Sequence, residues 1–185
     1  MTKLSVFATL CLGPILAATS AAAQSDQAKI DEALSAAPPQ LRDEATVRDL
    51  DGTLLREGKD AFTCMPAPEA FAGPMCLDGP WMNWLKAYQK KQDFTPERIG
   101  IAYMLAGDSP GGGASNIEPY AKGPTPENDW IVEGPHVMII VPDDSVLAGL
   151  PVTPETDGPY VMYPDTPYAH IMLPVDERGP QRMAK

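Results

Sequence analysis

Residues 78–107, "DGPWMNWLKAYQKKQDFTPERIGIAYMLAG", hold a helix signal and a strand signal side by side, and their reading decides the fold. Pro80 fits a first helical turn, where a missing N–H costs nothing. Trp81, Trp84, Leu85 and Tyr88 fall at i, i+3, i+4 and i+7, which is one face of a helix. Lys86, Lys90 and Lys91 take the wet side and the C-terminal end, where they suit the helix dipole. The spacing therefore predicts an amphipathic helix over 78–92 that packs its aromatic stripe on a sheet. Beyond "DFTP" the period changes: Ile99, Ile101, Tyr103 and Leu105 alternate, which predicts a strand within 97–107.

Further strands and a second helix flank this unit. "SDQAKIDEALSAA" (25–37) reads as a short helix with Ser25 as its cap, stopped by Pro38-Pro39. "ATVRDLDGTLLREG" (45–58) carries Asp51-Gly52 between two strand-like runs, a hairpin signal. Towards the C-terminus, "HVMIIVP", "PYVMYP" and "YAHIMLPV" read as strands, the last two separated by the turn signal "DTP". "DDSVLAGL" (143–150) reads as a short helix capped by Asp143 or Asp144. Residues 108–128, "DSPGGGASNIEPYAKGPTPEN", form a loop too long to be a passive connection. Its "PGGGAS" lacks a following Lys-Ser/Thr and a helix start, so it reads as a flexible turn and not a phosphate cradle. No β-α-β repeat is visible. The expected fold is α+β: one domain, a mainly antiparallel sheet packed against the amphipathic helix, and one disulfide.

Lys3, the apolar run "LSVFATLCLGPILAA" and the A-x-A site Ala21-Ala22-Ala23 make residues 1–23 read as a secretory signal peptide. A single domain over 24–185 is then expected, with 24–40 as N-terminal helix and linker. Losing Lys3 with the leader adds one negative unit to the formal net charge of −11. So acidic a chain repels phosphate backbones, which argues against nucleic-acid partners. No other stretch is long and apolar enough to span a membrane. Cys11 falls in the leader, which leaves Cys64 and Cys76. Two cysteines in an exported chain read as one disulfide, since the spacing is far from C-x-x-C.

The chain has two histidines, and each is followed two residues later by a methionine: His136/Met138 and His170/Met172. Residues i and i+2 share a strand face. If both strands turn their Val/Ile/Leu faces to one core, both His-x-Met pairs emerge together on the other face. Imidazole and thioether select soft copper, Cu(I) above all, with Met65, Met75, Met82, Met104 and Met162 as further donors. Zinc is disfavoured once the cysteines are oxidised, because no third nitrogen or thiolate remains. The competing reading is an apolar core in which methionine fills gaps and each histidine stays neutral. Catalysis would need His136 or His170 as base, an acid such as Asp108, Asp143 or Asp165, and Ser109, Ser115 or Ser145 as nucleophile. None of these serines sits in G-x-S-x-G. Tyr160, Tyr163 and Tyr168 beside His170 suit a small-molecule or peptide site.

"FTCMP", "MCLDGPW", "IGIAYML", "GPHVMIIVPD" and "GPYVMYPDTPYAHIMLPV" together resemble a group of exported bacterial proteins of unknown function. The resemblance covers much of 60–175 and rests on the paired cysteines and the two His-x-Met stretches. It implies export and one compact domain, and it brings no activity with it. The first expectation is therefore an exported binding or interaction protein whose functional surface is the His136/Met138/His170/Met172 face. The tyrosines and the Gly-rich loop form its expected rim, and a small molecule, a metal ion or a protein is the partner. A periplasmic Cu(I)-binding protein using those four side chains is the alternative, and a hydrolase-like enzyme the third.

Overall fold

Eight strands form one sheet in the computed structural model, which describes residues 16–59, 61–68, 73–154 and 158–177. The strands are β1 (Thr46–Arg48), β2 (Leu54–Arg56), β3 (Thr63–Met65), β4 (Met75–Leu77), β5 (Gly100–Met104), β8 (His136–Ile140), β9 (Tyr160–Met162) and β10 (His170–Pro174). Their order is β2-β1-β3-β4-β5-β8-β10-β9, and only β1 and β3 run parallel. A separate two-stranded ribbon pairs β6 (Ala114–Ser115) with β7 (Trp130–Ile131). The expected α+β fold with a mainly antiparallel sheet is what the chain adopts.

Two helices cover opposite faces of the sheet, and strand parity shows which residues meet each. Helix α1 (Leu16–Ser35) packs with Val47, Cys64 and Cys76 through Ala33 and the residues just after it, Ala36 and Ala37. A short helix α2 (Pro39–Arg42) follows it. The Cys64–Cys76 disulfide joins directly paired positions of β3 and β4 beneath α1. The helix expected from Ser25 starts at Leu16, so residues 16–23, assigned above to the leader, and Gln24 continue it. Leader residues 1–15 lie outside the described residues. Among the described residues, no helix is long and apolar enough to cross a membrane.

Helix α3 (Gly79–Lys90) covers the other face. The aromatic stripe is the buried one: Trp81 and Trp84 are buried, and Leu85 and Tyr88 pack against the same cluster. Asp78 caps the helix by accepting from the Trp81 N–H (3.0 Å), and its second oxygen accepts from the Ile101 N–H of β5 (2.8 Å). One side chain thus starts the helix and ties it to the strand beneath. Contact is close enough that Gly100 has no room for a side chain, since a Cβ there would lie 2.8 Å from Pro80.

The face that α3 covers is not the one the strand patterns favoured. In β5 it holds Gly100, Ala102 and Met104, while Ile99 is 60 % exposed. In β8 and β10 it holds His136, Met138, Ile140, His170 and Met172. Val137, Ile139, Ile171 and Leu173, read above as the core face, are only half-buried on the opposite side. Two further readings shift. The 143–150 segment is a single 3-10 turn over Asp144–Leu147, with Asp143 capping it. The "PGGGAS" stretch is anchored and not a slack turn. Gly113 has φ +114, and a Cβ there would lie 2.4 Å from the Ile131 carbonyl, so only glycine fits against β7. The Asp51-Gly52 hairpin forms as expected, with Gly52 at φ +89.

Candidate functional site

Register fixes the floor of the site. Met138 of β8 lies directly opposite Met172 of β10, and Met172 is in turn opposite Tyr160 of β9. His136 lies one step to one side, opposite Pro174 and Met104. His170 lies one step to the other side, opposite Met162. Both His-x-Met pairs therefore share one face of adjacent strands. Above them, between the sheet, α3 and the 108–121 loop, lies a cavity of about 360 Å³. All four side chains line it, and Leu50, Gln89 and Glu118 stand exposed at its edge. The chain has nine methionines, and six of them (Met65, Met75, Met104, Met138, Met162 and Met172) line this one cavity. Five of the six belong to the buried core and Met75 packs against it, and their thioethers give the cavity soft, adaptable walls.

The four His and Met side chains do not converge on one point. His136 and His170 are separated by four residues along the β8/β10 ladder, or about 13 Å of strand. Each ring is also held through its Nδ1 by a backbone carbonyl. His136 Nδ1 bonds the Gly134 carbonyl (2.7 Å) and His170 Nδ1 bonds the Tyr168 carbonyl (2.9 Å), both two residues back towards the outer ends. A carbonyl only accepts, so both Nδ1 atoms carry the proton and both Nε2 atoms present a lone pair. One ion bridging both imidazoles does not fit this geometry.

The α3 end of the cavity is aromatic and underbonded. The His170 ring stands edge-on to Trp81 (centroids 5.2 Å), Trp84 (5.6 Å) and Tyr163 (5.6 Å). Burial drives its pKa down to about 4, so it is neutral at ordinary pH. Its Nε2 is buried without a hydrogen-bond partner, and so are Nε1 of Trp81 and Nε1 of Trp84. Each such atom costs about 1–3 kcal/mol of lost hydration, and three close together need a reason. Tyr163 is also held at φ +56, a conformation that costs about 1–3 kcal/mol in a non-glycine residue and clusters at functional sites.

The opposite end is acidic. Asp108 accepts from the Glu133 N–H (2.7 Å) and gives its own N–H to the Glu133 carbonyl (2.9 Å). Burial first, with the Glu133 charge adding to it, pushes the Asp108 pKa up to about 7. Glu133 accepts from the Tyr160 hydroxyl (2.8 Å). Burial lowers the His136 pKa, so this histidine adds no fixed positive charge.

The tyrosines divide by role. Tyr163 lines the cavity, whereas Tyr160 and Tyr168 lie behind it. Tyr160 orients Glu133. Tyr168 donates to the Gln92 carbonyl (2.9 Å) and accepts from Tyr120 (2.7 Å), tying the β10 turn to the end of α3. Met82, counted above among spare donors, packs at the core edge and does not line the cavity. Neither Nδ1 meets a carboxylate, because backbone carbonyls occupy both, so neither histidine has the acid partner of a Ser-His-Asp triad. Ser115 Oγ is engaged with the Asn128 carbonyl, and Asp143 and Asp165 are exposed, whereas both imidazoles are buried. Among the described residues, no three His, Cys, Asp or Glu side chains group to hold a metal ion, so any metal here would lean on thioethers. Sequence reasoning missed Trp81, Trp84 and Glu133 as lining residues, and named Asp108 only as a candidate acid on the rim loop. The two tryptophans read as plain core, and the two acids belong to loops whose meeting no pattern announces. No protein-family model matches the chain, and no curated protein or solved structure matches it.

Proposed function

We propose that this chain is an exported binding protein that takes a small, largely apolar molecule into the methionine-lined cavity between the sheet and α3. The cavity carries the reading: its 360 Å³ falls in the range of small-molecule sites, it is lined chiefly by apolar and aromatic side chains, and a few polar groups stand at its two ends. The Cys64–Cys76 disulfide supports the export part, because such bonds persist in oxidising compartments. The test is titration with N-phenyl-1-naphthylamine, a neutral dye that brightens in apolar sites. Saturable one-to-one binding, with quenching of Trp81 and Trp84 emission, is the expected result. No saturable binding by the folded protein sinks the reading.

A second reading, a Cu(I) site, is favoured by the crowding of methionines around His170. The unpartnered Nε2 selects His170 as the imidazole donor, with Met162 opposite it and Met172 and Met138 on the same face, a neutral set that suits a soft monovalent ion. Anaerobic Cu(I) titration against bicinchoninate tests this. Tight binding that survives His136→Asn and fails in Met172→Leu supports it. Failure to compete with the chelator removes it.

A further inference from the structure

We infer that the α3 end of the cavity recognises an uncharged group that both donates and accepts hydrogen bonds, a hydroxyl or a primary carboxamide, carried on an apolar body. This deepens the cavity-binding reading and rests on it. Three buried polar atoms without partners belong to side chains that meet there: one acceptor, His170 Nε2, and two donors, the indole N–H groups of Trp81 and Trp84. Their rings are in mutual contact, with Trp81 and Trp84 centroids 4.9 Å apart and each edge-on to His170. Each of the three residues borders the cavity.

The two kinds of orphan select the ligand head by elimination. An ammonium group has protons for Nε2 but no lone pair for the indole N–H groups. A carboxylate has lone pairs for the indoles but no proton for Nε2. It would also enter a cavity that holds Asp108 and Glu133 and offers no cation, both histidines being neutral. An ether or a plain hydrocarbon leaves Nε2 as it is. A hydroxyl or carboxamide serves both sides at once. The apolar remainder of such a molecule would lie over Met138 and Met172, the central row of the floor.

A matched series on the full chain tests this, read by displacement of N-phenyl-1-naphthylamine. The probes are 1-octanol, its isomer 1-methoxyheptane, octanoate and octylammonium. The expected result is that 1-octanol binds about tenfold tighter than each of the other three. His170→Phe should bring 1-octanol down to the level of the ether and leave the ether unchanged. If that variant does not fold, Trp84→Phe, which removes only a donor, should weaken the alcohol and the ether by the same factor and leave the alcohol the tighter of the two. Equal displacement by alcohol and ether, or equally tight binding of either charged probe, overturns the inference while leaving the cavity a binding site. If neither the dye nor any probe binds, the cavity-binding reading falls and this inference falls with it.

Discussion

Met138 and Met172 face each other across the β8/β10 ladder at the centre of the cavity floor, and each carries a histidine two residues away on the side its partner lacks. The antiparallel arrangement turns two identical His-x-Met patterns into a floor with thioethers in the middle and imidazoles at opposite ends. Substituting the central pair should separate the two functional readings. Met172→Leu nearly conserves volume, so stability should change by less than about 1.5 kcal/mol and binding of an apolar dye should persist. The same substitution deletes a thioether and should abolish any Cu(I) retention. Urea unfolding, dye titration and chelator competition on one variant check all three outcomes.

Acid should destabilise the fold through His170. Its pKa is about 4 when folded, below the ordinary value of 6.5, so between those pH values the unfolded chain binds more protons. Stability that is intact above pH 6.5 is then lost as pH falls towards 4, by about 3 kcal/mol at about 1.4 kcal/mol per unit. His136, also lowered by burial, adds in the same direction. His170→Phe should flatten this part of the profile, as measured by the urea midpoint at pH 7, 5.5 and 4. An unchanged slope in the variant would mean that His170 titrates normally.

Asp108 has the opposite sign. Its folded pKa, about 7, lies above the ordinary 3.8, so the folded state holds the proton more tightly. That contribution is fully present below pH 4 and is lost as pH rises through 7. Asp108→Asn keeps an oxygen to accept from the Glu133 N–H and cannot ionise. It should therefore gain stability relative to the parent between pH 6 and 8, with little difference at pH 4. A parallel pair of stability profiles would show that Asp108 does not titrate in this window.

The helix and the site were legible to different degrees. The 78–92 helix carried its own evidence, because four aromatic and aliphatic residues at helical spacing have only one apolar face to offer. Most of the longer strands were found, β3 and β4 excepted, but their buried face was not. A β-strand has two faces, and β-branched residues at Val137, Ile139 and Ile171 made the wrong one look like core. What decides burial is which side α3 covers, a tertiary fact. Once α3 lies over Gly100, parity carries Met138, Met172 and both histidines beneath it. The β6–β7 ribbon was invisible because two-residue strands show no period. The parallel β1–β3 pairing depends on contacts that no local pattern encodes.

Cys64–Cys76 closes a ring of 13 residues across the β3–β4 hairpin. In the chain-entropy picture this is worth about 3 kcal/mol, by limiting the unfolded chain. The Cys64→Ala/Cys76→Ala double variant should lose that amount and also gain a packing defect beneath α1, where both cysteines are buried against Ala33 and Val47. Reduction of the parent with dithiothreitol should give the smaller loss, because it keeps both side chains. Equal thermal midpoints for oxidised and reduced protein would remove the bond from the stability of this fold.

Gly113 tests whether the 108–121 loop is a working wall of the cavity or a bystander. Its φ of +114 is strained for any other residue, and a Cβ would press on the Ile131 carbonyl at 2.4 Å and on Trp130 Nε1 at 2.5 Å. Gly113→Ala must therefore shift the loop from β7, at a cost of about 1–3 kcal/mol. Gly113 borders the cavity, while the floor belongs to β8 and β10, which do not depend on this contact. The expected phenotype is a folded protein with a modestly lowered thermal midpoint and dye affinity reduced by a larger factor than the stability loss alone would give. If the midpoint falls while dye affinity stays at the parent level, the binding site lies elsewhere than beneath this loop.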